Sequence, residues 1–79
     1  MRFHYSFAVS KLLRDLKDEG APLRRAIEAL RQNPFPEDAL PVDGYENRYE
    51  MFVIGYWIVY EVDQRGGETV IQVAAIKEN

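Results

Sequence analysis

The sequence predicts an α+β domain of order β-α-α-β-β-β, a helical hairpin packed on a small, mostly antiparallel sheet. Three observations predict it. Residues 2–8 alternate apolar and polar side chains, residues 9–32 change to a helical period broken once, and three alternating apolar segments follow with glycines between them.

In RFHYSFA, Phe3, Tyr5 and Phe7 fall on one face and Arg2, His4 and Ser6 on the other, the pattern of a strand with one buried side. Ser10 stands where it can cap the next segment. Val9, Leu12, Leu13 and Leu16 return at helical spacing, and Gly20 lies where a helix terminates. Ala21-Pro22 opens a second helix, proline being tolerated in the first turn, and Leu23, Ala26, Ile27 and Leu30 supply its apolar stripe. Asn33-Pro34-Phe35-Pro36 ends it and begins an acidic loop that runs to Asn47. YEMFVI, YWIVYEV and ETVIQVAAI then read as three strands. Gly55 and Gly66-Gly67 make connections short enough for hairpins.

A chain of 79 residues supports one domain, here expected over residues 1–79, with a thin core. No cysteine is present, which removes disulfides and thiolate metal sites. The longest apolar run, MFVIGYWIVY, is too short to span a bilayer as a helix, and the N-terminal residues carry no signal-peptide pattern. A cytoplasmic protein without a membrane partner is the expectation. Neither a metal-ligand cluster nor a phosphate loop or nucleophile triad can be found, so no cofactor or metal is expected.

Charge is unevenly placed. Residues 1–32 hold seven basic groups against four acids, and residues 33–79 hold three (Arg48, Arg65, Lys77) against nine. A basic field for nucleic acid therefore belongs to the first half only.

The string NPFPEDALPVDGYENRYEMFVIGYWIVYEV, following a helical hairpin, resembles the RelE/ParE superfamily of toxins from type II toxin–antitoxin modules. The matching marks are the hairpin ending near Asn33-Pro34, the loop to Gly44-Tyr45, Tyr49 opening a strand, and Gly55-Tyr56 before Ile58-Val59-Tyr60-Glu61-Val62. The resemblance implies the fold above and an antitoxin partner that wraps the toxin with a helix and an added strand. In the RelE branch it implies cleavage of mRNA in the ribosomal A site by basic groups on the exposed sheet face. The residues at those positions here are Glu50, Phe52, Trp57 and, near the end of the last strand, Ile76, with Lys77 one place along. ParE-like members lack the basic set as well and poison DNA gyrase by binding.

If Met51, Val53, Ile58, Tyr60, Ile71 and Val73 pack under the helices, alternation sends Glu50, Phe52, Ile54, Trp57, Val59, Gln72 and Ile76 outward. Such a face is mostly apolar, as in a sheet covered on both sides. Phe52, Trp57, Val59 and Ile76 are the expected partner-binding residues, their occupant being an antitoxin, a target, or a second copy in a homodimer. Arg48, Glu50 and Lys77 are the candidate catalytic groups, each with the plainer role of a solvated or ion-paired strand residue. His4, the sole histidine, reads as a partly exposed strand residue, and the tyrosines 45, 49, 56 and 60 as core and interface. The expected function is a toxin component that binds a macromolecular target. The alternatives are a ribosome-dependent endonuclease with relocated basic groups and a non-toxic scaffold.

Overall fold

The computed structural model describes residues 1–79. β1 (Arg2–Tyr5) leads into α1 (Phe7–Leu16), a 3-10 turn (Lys17–Gly20) and α2 (Ala21–Ala29). β2 (Leu40–Pro41), β3 (Arg48–Val53), β4 (Tyr56–Arg65) and β5 (Glu68–Glu78) follow. The sheet order is β1-β5-β4-β3-β2, antiparallel except for the parallel pair β1/β5. One helical layer covers one face of this five-stranded sheet.

The core forms where the two apolar periods meet. Val9 and Leu13 from α1 join Leu23, Ile27 and Leu30 from α2 and its C-terminal turn. They pack on Met51, Ile58, Tyr60, Ile71 and Val73 of the sheet. These side chains recur every three to four residues in the helices and every second residue in the strands, so each element presents one apolar face.

Several local readings change. β1 ends at Tyr5 because Ser6, not Ser10, caps α1: its hydroxyl accepts from the Val9 backbone N–H at 3.1 Å. Phe7 therefore leaves the strand pattern for the first helical turn, where it is 80% exposed. Gly20 does not terminate α1. Lys17 takes a positive φ there (51°, with ψ −127°), and the Arg24 guanidinium donates to the carbonyls of Leu13 and Lys17, satisfying the helix end. Gly20 is buried where a Cβ would lie 3.2 Å from the Leu16 Cβ and 3.3 Å from Arg24 Nη2, so close approach explains the glycine. The strand β2 was absent from the sequence reading, because two residues including a proline carry no alternation.

The largest correction concerns β5. Tyr60 stands opposite Val73, whereas Val59 stands opposite Ala75, so β5 has one extra residue at a bulge. The insertion inverts the parity of everything after it. Ile76, expected to point outward, packs against the core under the helices, and Lys77 emerges on the open face opposite Trp57.

Tyr60 is fully buried and donates its hydroxyl to the Pro34 carbonyl at 2.8 Å, tying the end of the helical layer to the sheet. Burial first, then the charges of Tyr49 and Asp38, pushes its phenol up to about 12 from 10.0. The folded pKa exceeds the unfolded one, so this contribution to stability is complete below about pH 10 and is lost as pH rises through about 12. Tyr60→Phe should cost about 1 kcal/mol at neutral pH. It should also remove the latest tyrosine ionisation step in an absorbance titration of the folded protein.

Both hairpins use two-residue turns with positive φ at each position: Ile54-Gly55 (44°, 89°) and Gly66-Gly67 (58°, 80°). This is the type I′ pattern, favoured because its twist matches that of the strands. Gly66-Gly67 suits it, but a β-branched isoleucine at positive φ is strained. Ile54→Asn should raise stability by about 1 kcal/mol in chemical denaturation. An unchanged or lower midpoint would show that the turn is not strained.

Candidate functional site

The face of the sheet opposite the helices is built by parity from three strands and the ends of two more. Alternation sends Arg48, Glu50 and Phe52 of β3 outward, with Trp57, Val59, Glu61 and Asp63 of β4. From β5 come Gln72 and, beyond the bulge, Ala75 and Lys77.

Cross-strand register groups these side chains into rows. One row reads His4, Gln72, Glu61, Arg48 across four strands. The next reads Ala75, Val59, Glu50, Leu40, and the third Lys77, Trp57, Phe52. The face thus has a polar end and an apolar corner. The expectation of a mostly apolar face holds only for the corner.

At the polar end, Arg48 donates to Oε2 of Glu61 through Nη2 at 2.6 Å and Nε at 3.0 Å, and its guanidinium lies 4.2 Å from the centre of the Tyr45 ring. Chiefly through that hydrogen bond, the carboxylate holds the guanidinium pKa above its ordinary range. Asp63 accepts from Asn47, from Gln72 at 3.3 Å and from Arg65 at 3.3 Å. A hollow of ≈ 490 Å³ beside this row is lined in part by His4, Ser6, Arg48, Glu61, Gln72 and Ala74. His4 makes no hydrogen bond or ion pair there.

At the apolar corner, the Phe52 and Trp57 rings lie 5.1 Å apart and tilted by 57°, and Trp57 Nε1 donates to Asn79 Oδ1 at 3.4 Å. Phe52 is 45% exposed, Leu40 53% and Ile54 56%, while Trp57 is half-buried and Val59 buried. Ile54, at the strained turn, extends the corner to the end of the β3–β4 hairpin.

Of the expected contact residues, Phe52 and Trp57 come together at this corner. Val59 lies on the same face but is closed off from solvent, and Ile76 belongs to the core. The three candidate catalytic groups do not converge. Glu50 sits between Val59 and Leu40 in the middle row. Arg48 and Lys77 stand opposite Glu61 and Trp57, four residues apart along β4 and on either side of it, which separates their Cα atoms by about 16 Å. Arg65, at the far end of β4, is about 26 Å further along the strand from the Lys77 level. Of the cations Arg48, Arg65 and Lys77, only Lys77 is without a carboxylate within ion-pair distance.

The part missed was Glu61, paired with Arg48, and Asp63, held by Asn47, Gln72 and Arg65. Its signal was present: continuing the alternation of β4 past Val59 places Glu61 and Asp63 outward. No group of His, Cys, Asp and Glu side chains is placed to hold a metal, and no helix is long and apolar enough to cross a membrane. No protein-family model, curated protein or solved structure matches this chain.

Proposed function

We propose that the chain is a toxin-type component of a toxin–antitoxin module that acts by gripping a macromolecular target, and that it does not cleave RNA. The reading rests on the resemblance to the RelE/ParE superfamily, with which the order of a strand, two helices and a strand-rich second half agrees. The observation that carries the choice of binding over cleavage is the make-up of the open sheet face. A phosphoryl transition state needs donors converging on one group of oxygens. Here Arg48 is tied to Glu61, Arg65 to Asp63, and Lys77 is separated from both.

The corner formed by Leu40, Phe52, Ile54 and Trp57 favours a protein contact. Aromatic side chains of this kind anchor interfaces, and truncating one costs about 2 kcal/mol or more at a hot spot. Strain at an exposed isoleucine is the kind of local cost that persists where a contact requires it. The acids around the corner disfavour a phosphate backbone as the occupant. Candidate occupants are the cognate antitoxin or a target such as the ribosome or DNA gyrase. A homodimer through this face would bury the same side chains. A non-toxic member acting as an antitoxin-binding scaffold is the second reading, and the tied cations favour it as much as they disfavour the nuclease.

Induced expression in bacteria separates these readings. The expected result is growth arrest with mRNA left uncut at codon boundaries. Arrest should be relieved when Phe52→Ala and Trp57→Ala are combined in a protein whose circular dichroism is unchanged. Rapid codon-boundary cleavage would replace this reading with the nuclease, and normal growth would replace it with the scaffold.

A further inference from the structure

A groove on the helical side, at the β1 edge of the sheet, has an apolar floor of Tyr5, Leu13 and Ile27. Its rim carries Arg24, Arg25 and Glu28. Glu28 is paired with Arg31 at 2.5 Å, so it does not neutralise the rim. Arg24 touches only neutral carbonyls, and Arg25 is exposed with no ion pair. The groove is therefore apolar below and positive above.

The opposite edge of the same sheet has the complementary surface. Between α2 and β3 the chain carries Glu37, Asp38, Asp43 and Glu46, all exposed and none in an ion pair. Glu37 and Asp38 follow Phe35, which is 52% exposed and packs edge-on against Tyr49 on the helical side of the sheet. That segment has an apolar anchor followed by two free carboxylates, matching a groove with an apolar floor and an arginine rim.

Within one molecule the two surfaces cannot meet. Tyr5 ends β1 and Leu40 begins β2, which are the outermost strands of the sheet, four strand spacings or about 19 Å apart. A neighbouring molecule meets no such obstacle. We propose that the chain associates with itself head to tail, residues 35–38 of one copy seated in the Tyr5/Leu13/Ile27 groove of the next. Such a contact uses different surfaces on the two partners, so it leaves a free groove at one end and a free segment at the other. The surfaces are small, which makes the association weak, and its charged part is sensitive to salt. This inference is independent of the toxin reading and of the open sheet face.

Sedimentation of the full chain from about 10 μM to about 1 mM tests it. In low salt the weight-average mass should rise with concentration above that of one 9.2 kDa chain. It should fall back in about 1 M salt, where the screening length is about 3 Å. Arg25→Glu should stay at one chain, and so should the pair Glu37→Gln with Asp38→Asn. Mixing these two variants should produce a 1:1 pair and nothing larger, because one supplies the intact segment and the other the intact groove. The Phe52→Ala/Trp57→Ala protein should associate as the wild type does. A wild-type chain that remains single at about 1 mM in low salt would overturn the proposal. So would variants that still associate on their own, or a mixture that does not pair.

Discussion

The helices bury one face of the sheet, and strand geometry then commits every side chain of β3, β4 and β5 to that face or to the other. Because the period is two, a single inserted residue reverses all assignments downstream of it. The bulge at Ala74-Ala75 does this in the last strand. It draws Ile76 into the core beside Ile58 and sends Lys77 out beside Trp57. At the end of the open face beside Trp57, that one insertion puts a cation where an aliphatic side chain would otherwise stand.

What the face offers is divided by register. The rows nearest the Gly66-Gly67 hairpin hold carboxylates with their own cations and amides, so their charges are compensated within the chain. The corner nearest the Ile54-Gly55 hairpin leaves Leu40, Phe52 and Ile54 partly bare, with Lys77 beside Trp57. Compensated charge gives little attraction for a phosphate backbone, and bare aromatic surface gives a place for another protein to dock. The proposed binding role draws on this division. On this face Lys77 and Glu50 have no ion pair, and further unpaired charge lies on Arg24 and Arg25 of α2 and on the acidic loop, at opposite edges of the sheet.

Much of the architecture was legible because burial leaves a period in the sequence. Phe3, the stripe of Leu13, Leu23 and Ile27, and the alternation of Met51, Ile58 and Tyr60 all mark the side that packs. What was not legible has particular causes. Ser6 and Ser10 are both plausible caps by composition, and only the geometry around Val9 distinguishes them. Gly20 could be read as a helix stop because the packing of Leu16 and Arg24 against it leaves no local mark. The bulge occurs within Val73-Ala74-Ala75-Ile76, where small residues fit either face, so its presence cannot be inferred from alternation. The ion pair of Arg48 with Glu61 depends on cross-strand register, whereas that of Arg65 with Asp63 lies within β4, and the outward direction of Glu61 and Asp63 was open to reading.

The account stands on the claim that the open face has no place for a phosphate. Amide NMR of the labelled chain, titrated in low salt with a short single-stranded RNA, measures that directly. The expected result is no saturable change at Arg48, Glu61, Gln72 or Lys77. Saturable shifts converging on those residues, abolished by Lys77→Ala, would contradict the account.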